Sequence, residues 1–180
     1  SFGDHLGSGR LMGNRLRFGL RNQVRDFVKA GKPVIGICNG FQVLVKMGLL
    51  PGDDEVSLTQ TASLALNDSG HYENRWATLE FDSRSHCIWT KGIKRIRVPV
   101  RHGEGKFVTA DKNLLDNWSE AGQLVVRYVD PSTEYPSSSD KVLPYPISPN
   151  QSWRNIAGVC DPSGFCLLYT SPSPRDNKAS

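Results

Sequence analysis

Pro33-Val34-Ile35-Gly36-Ile37-Cys38-Asn39-Gly40-Phe41-Gln42 is the stretch on which the reading of this 180-residue chain turns. Val34 to Ile37 is a short apolar run rich in β-branched residues, which predicts a buried strand. From Gln42 to Met47 the pattern predicts the first turns of a helix, stopped by Gly48. Cys38 therefore falls where a strand turns sharply into a helix. Gly36 and Gly40 stand two places on either side of it, which is the nucleophile-elbow pattern with Cys in place of Ser. Such a turn strains the nucleophile's backbone, and a side chain at either flanking glycine is expected to collide with it. The helix N-terminus favours a thiolate, and the Asn39 N–H is placed to receive a developing oxyanion. A lone Cys at the end of a core strand would more simply be a small buried hydrophobe. The paired glycines, the strand before and the helix after favour a nucleophile.

Around this elbow the chain alternates between helix and strand. Residues 1–14 are glycine-rich and read as a loop or a fraying helix start, and the Gly-x-Gly at Gly7 and Gly9 follows no strand, so it is no dinucleotide site. Residues 14–30 predict one helix, with Leu16, Leu20, Val24, Phe27 and Val28 on one face and Gly31 closing it. Its arginines and Lys29 make either a solvated face or a partner-facing one. Helix, strand and helix within about fifty residues is an α/β pattern around a parallel sheet, with a site at the carboxyl ends of its strands. Alternation at residues 75–81 and 95–98 predicts strands of a meander, and residues 124–129 and 155–160 predict two more. Residues 131–149, rich in proline and serine, read as a surface loop.

His102-Gly103-Glu104-Gly105 follows a strand directly, and its glycines let the backbone approach a ligand. From the residues alone, His102 is a candidate general base for Cys38 with Glu104 orienting it, or the segment is a tight solvated turn.

Composition excludes several classes. Net charge is +4 with no polybasic run, so nucleic acid is not expected as a partner. No apolar stretch is long enough to span a bilayer as a helix, and no leader peptide is apparent. The four cysteines form no C-x-x-C pair and have no zinc spacing, so no metal is expected and a reducing, cytoplasmic setting is the simplest account.

The segment from Gly36 to Gln42 resembles the nucleophile motif of class I, triad-type glutamine amidotransferases. Cys-Asn-Gly-Phe-Gln is closest to the glutaminase component of phosphoribosylformylglycinamidine synthase, of purine biosynthesis. Three further stretches resemble that component: Ser1-Phe2-Gly3-Asp4, the His102–Gly105 loop, and Pro149-Asn150-Gln151-Ser152 followed by Asn155-Ile156-Ala157-Gly158. In the last, Ser148 and Gln151 stand where the family has Asn and Gly. The resemblance implies a flavodoxin-like three-layer α/β sandwich with a central, mostly parallel sheet. It implies glutamine as substrate, Cys38 as nucleophile and Gly36, Asn39 and Gly40 as the elbow and oxyanion site. Gln42, His102, Gly103, Glu104 and Gly105 would line the glutamine pocket, with the stretch around Ser152 nearby. It implies no cofactor in this chain, since ATP and Mg serve the synthetase partner to which ammonia passes.

The same resemblance implies a triad His and Glu in a Pro-His-Pro-Glu segment and two glycines just before Ser1, one of which supplies an oxyanion-hole N–H. Neither is present, and no histidine follows His102. Residues 1–164 are accordingly expected to be an amidotransferase domain incomplete at both ends. Leu167 to Asp176 resembles a translated adapter read-through, so residues 165–180 are expected to be a non-native, disordered tail, with Phe165 to Tyr169 apolar enough to fill the last strand's place. Lacking the triad His and Glu, the chain as given is expected to release little or no ammonia from glutamine. The alternatives to a glutaminase are an inactive fragment or partner-binding subunit of the same fold, or another Cys-elbow α/β protein.

Overall fold

A computed structural model describes residues 8–136 and 140–169. The helix expected over residues 14–30 is two helices, α1 (Ser8–Gly19) and α2 (Arg21–Lys29). They part at Leu20, whose φ of −128° and ψ of 20° are not helical. Gly19 just before it has little propensity to carry a helix through. α1 begins inside the stretch read as a loop or a fraying helix start, and packing explains why it is helical. A Cβ at Gly13 would stand 3.0 Å from the Lys46 Cβ, so the glycine lets α1 lie close against the helix after the elbow. The break also turns the expected apolar stripe out of register. Val28 is buried, whereas Leu20 and Phe27 are about half exposed.

The main sheet has six strands in the order β1-β8-β7-β6-β3-β4. They are β1 (Val34–Ile37), β3 (Glu73–Phe81), β4 (Arg95–His102), β6 (Val126–Tyr128), β7 (Ile156–Cys160) and β8 (Cys166–Tyr169). β1 pairs with β8 in parallel, and the other four neighbouring pairs are antiparallel. The sheet is thus mixed, not mostly parallel as expected. Parallel neighbours require a crossover connection, and most of these strands are joined without one. β7 and β8, for example, are linked by a turn in which the Gly164 N–H donates to the Asp161 carbonyl. A second, two-stranded sheet pairs β2 (Ala62–Ala65) with β5 (Lys106–Thr109), so β2 leaves the expected meander.

Both faces of the central strands are buried. Ile156 and Val159 of β7 enter one cluster with Val28, Phe41, Val45, Leu115 and Trp118. Ala157 and Cys160 enter the other with Leu79, Val100 and Val126. A register shift opposite Val126 and Arg127 lets β7 serve both faces at this spacing. α2 with Val28, the elbow helix α3 (Asn39–Lys46) with Phe41 and Val45, and α4 (Asn113–Glu120) with Leu115 and Trp118 contribute to the first cluster. Among the described residues the opposite layer is not helical. Cys87, with Trp89 packed beside it, closes that face from a turn-rich segment over 82–94.

Among the described residues β1 stands at one end of the sheet, and Ile35 is 43% exposed where a buried strand was expected. Residues 166–169, inside the segment expected to be a tail but within its apolar run Phe165–Tyr169, form β8, which bridges β1 to β7. Residues 170–180 lie outside the described residues.

Candidate functional site

β1 runs directly into α3 through Cys38. Its backbone, with φ of 56° and ψ of −115°, lies where non-glycine residues are strained. The Cys38 carbonyl accepts from the Phe41 N–H at 2.8 Å, so the turn that strains the residue also opens the helix. Asn39 is the first residue of α3, the position from which the residue after a nucleophile supplies an oxyanion donor. Aromatic packing holds α3 in place. The Phe41 ring stacks on Phe107 at 6.4 Å, and Phe107 meets the Trp118 ring edge-on at 6.2 Å.

The flanking glycines are not equivalent. Gly36 is buried at the end of β1. A Cβ at Gly40 meets nothing within 4 Å, so the collision expected there does not occur among the described residues. Gly40 is the second residue of a regular helix. The strain is concentrated at Cys38, one step before the helix begins.

The elbow meets the end of β4. Cys38 Sγ lies 3.8 Å from the Arg101 carbonyl oxygen. One turn along α3, the Gln42 side-chain amide donates to the Glu104 carbonyl at 3.3 Å. The fold thus brings together Cys38, Gln42 and the loop of His102, Gly103, Glu104 and Gly105. Gln42, Lys46 and Glu104 line a small cavity of about 50 Å³ with Val45, Ser63 and Leu64. A larger cleft of about 470 Å³ lies elsewhere, around Glu80 and Arg84. Its Arg84 and Arg127 are already paired with Asp82 and Asp140, so it offers no uncompensated charge to a ligand.

Within the loop the residues divide by burial. Gly103 and Glu104 are half-buried, while His102 and Gly105 are buried. The His102 ring is turned back onto the loop. Its Nδ1 faces Asn67 Oδ1 at 3.1 Å, and a Cβ at Gly105 would come within 2.5 Å of the same nitrogen. The ring therefore fills the inside of the turn. That arrangement supports loop shape more directly than proton transfer at Cys38.

Three buried polar residues hold this loop, and sequence reasoning did not single them out for that work. Asn67 contacts it from the β2–β3 side. Asn150 Nδ2 donates to the Gly105 carbonyl at 2.8 Å, and Ser152 Oγ donates to the same carbonyl at 3.3 Å. Ser152 Oγ also accepts the Phe107 N–H at 2.9 Å. Ser148, Asn150 and Ser152 have no exposure, so the end of the expected surface loop is an internal brace. The available signal was alternation of small polar residues through a proline-rich stretch, a pattern that surface loops share.

Cys38 is the one cysteine of the four that reaches solvent; Cys87, Cys160 and Cys166 are buried. Burial, aided by the Asp161 charge, pushes the Cys166 thiol up to about 12. The Cys160 thiol is pushed up by its hydrogen bond with Cys87 and by burial. His86 lies apart, with Nε2 2.7 Å from the Pro162 carbonyl oxygen.

Residues 1–171 match the CobB/CobQ-like glutamine amidotransferase domain family. The chain is 41% identical to a phosphoribosylformylglycinamidine synthase subunit PurQ of Treponema denticola, over 98% of this chain and 68% of that protein. It is 39% identical to the PurQ subunit of Methanococcus maripaludis, over 97% of this chain and 61% of the relative. Among solved structures it resembles a chain of PurLQS from Thermotoga maritima, with a TM-score of 0.60 and 26% identity. That match covers 97% of this chain and 64% of the other.

Proposed function

This chain belongs to the CobB/CobQ-like glutamine amidotransferase domain family, and from that premise we propose that it is the glutaminase part of a phosphoribosylformylglycinamidine synthase. The observation that carries the proposal is the strained backbone of Cys38 between an open-ended strand and a helix N-terminus. The Cys38 thiolate attacks the side-chain amide carbon of glutamine. The carbonyl π electrons move to oxygen, and the Asn39 N–H receives that charge. Collapse of the tetrahedral intermediate, with a proton delivered to nitrogen, releases ammonia and leaves a glutamyl thioester. Water then cleaves the thioester to glutamate and restores the thiol. Gln42, Gly103 and Glu104 form the pocket wall beside the sulfur, with His102 and Gly105 shaping it from within. The family's acid–base histidine has no counterpart after His102 in these 180 residues.

Ammonia goes to a synthetase partner, which uses ATP and Mg to amidate formylglycinamide ribonucleotide; this chain needs no cofactor of its own. Its relatives are named as subunits, and the surface of this chain supports a partner. Leu11 and Phe18, seven residues apart on α1, are 57% and 80% exposed. They lie on the opposite side from Gly13, which faces α3. Leu20, at the break between the helices, and Phe27 of α2 are also about half exposed. Arg15, Arg17, Arg21, Arg25 and Lys29 surround them. None of the described helices is long and apolar enough to cross a membrane. A purine-pathway role is in keeping with a cytoplasmic setting.

The test is mass spectrometry after treatment with a glutamine-analogue diazoketone. A single adduct is expected on Cys38, formed more slowly when glutamine competes. An adduct elsewhere, or one indifferent to glutamine, overturns the assignment.

A further inference from the structure

β4 belongs to the six-stranded sheet and β5 to the two-stranded one. The loop of residues 102–105 between them therefore crosses from one sheet to another, and no hairpin ladder sets its path. Side chains set it instead, and one residue does more of this than any other described. Asn67 is 3% exposed and opens a turn in which the Gly70 N–H returns to its carbonyl at 2.9 Å. Its main-chain N–H donates to the Gly103 carbonyl at 3.0 Å. Its Nδ2 donates to the His102 carbonyl at 2.8 Å and to the His71 carbonyl at 3.0 Å. Its Oδ1 accepts the Gly105 N–H at 3.1 Å and faces His102 Nδ1 at 3.1 Å.

The side-chain amide thus grips residues 102 and 105, the main-chain N–H of the same residue holds 103, and Glu104 is left as the residue carried outward. Glu104 is the residue of the loop whose carbonyl meets Gln42 of the elbow helix. The task needs a donor and an acceptor on the same short side chain. Asp would set a carboxylate oxygen against the His71 and His102 carbonyl oxygens. Leu would leave those carbonyls and the Gly105 N–H in a buried site without this partner.

We propose that Asn67 is a positioning residue for the glutamine site: it acts through the loop of residues 102–105 and sets where Glu104 stands relative to Cys38. The inference rests on the reading of Cys38 as a glutaminase nucleophile, and it assigns Asn67 a part in binding and none in bond-making. Its removal is therefore expected to weaken capture of a glutamine-shaped ligand while leaving the sulfur as reactive as before.

The experiment measures the rate of Cys38 labelling by a glutamine-analogue diazoketone against its concentration, for the wild-type chain and Asn67→Ala. Iodoacetamide, which needs no pocket, serves as the reference reagent. The half-saturating concentration is expected to rise about tenfold or more, as for loss of one to two buried hydrogen bonds. The limiting rate and the iodoacetamide rate are expected to stay within about a factor of three, the pattern of an interaction lost from binding alone. If Asn67→Ala fails to fold, Asn67→Ser, which keeps the main-chain bonds and one hydroxyl, carries the same comparison. An unchanged half-saturating concentration in a folded variant overturns the inference. So does a parallel change in the iodoacetamide rate, which would mean general loosening. A wild-type chain that shows no saturation with the diazoketone refutes the glutaminase reading itself, and the inference with it.

Discussion

The Gln42 side-chain amide donates to the main-chain carbonyl of Glu104, which ties the helix that starts at the nucleophile to the loop that crosses between the two sheets. The bond spans 62 positions of sequence and is part-buried, so little else in the sequence could substitute for it. Gln42→Leu, which keeps the size of the side chain and removes the donor, should lower stability by about 1 kcal/mol, the net worth of one such bond. It should weaken diazoketone capture at Cys38 more visibly than it lowers the melting temperature. Equal capture by both proteins would show that the tie does not shape the pocket.

Cys38 carries backbone strain that glycine would not. Cys38→Gly is therefore expected to melt above Cys38→Ala, by an amount equivalent to about 1–2 kcal/mol. Both variants lose the nucleophile, so the difference isolates the backbone. Thermal melts of the two purified variants decide it, and a lower melting point for the glycine variant would remove the strained-elbow description.

Two glycines of α3 and its end should respond oppositely to alanine. At Gly40 the new Cβ meets nothing within 4 Å among the described residues, and the residue is helical. Gly40→Ala should be neutral or stabilising by up to about 1 kcal/mol. At Gly48 the φ is +78° and the Cβ would lie 2.5 Å from the Thr59 backbone. Gly48→Ala should cost more than about 2 kcal/mol, since strain and overlap both act. Denaturant midpoints of the two variants test the contrast.

Gln151 stands where the resembled family has glycine, and its φ of 58° is the left-handed conformation glycine takes most readily. Its side chain offsets that cost by donating to the Leu143 and Ser148 carbonyls at 3.0 and 2.8 Å. Gln151→Gly should thus be near neutral, and Gln151→Ala, which keeps the strain and loses both bonds, should be lower by about 1 kcal/mol. The order of the two melting temperatures is the readout.

What could be read from the residues alone follows from how locally each feature is determined. The elbow was legible because four neighbouring residues and their glycines specify it by geometry. The strand alternation at 75–81 was legible for the same reason. The break at Leu20 was not, since the apolar spacing of residues 14–30 continues across it and only packing of Gly13 against Lys46 shows where α1 must lie. Sheet direction was inferred from an early helix–strand–helix pattern. It was decided by connections such as 82–94 and 161–165, which carry no crossover helix. Asn67 escaped notice because an Asn-Asp-Ser-Gly run looks like any surface turn. Its partners lie at residues 102, 103 and 105, and no local pattern announces a contact at that separation.

β8 joins the nucleophile strand to the rest of the sheet, with Val34 opposite Cys166 and Ile37 opposite Tyr169. The two paired strands are far apart in the chain, so synthesis makes the elbow well before its neighbouring strand. Until residues 166–169 arrive, β1 lacks its ladder to β8, a contact of long sequence separation. The order of synthesis therefore works as a timer: the strand that carries the reactive sulfur gains this support only after the residues between have been made.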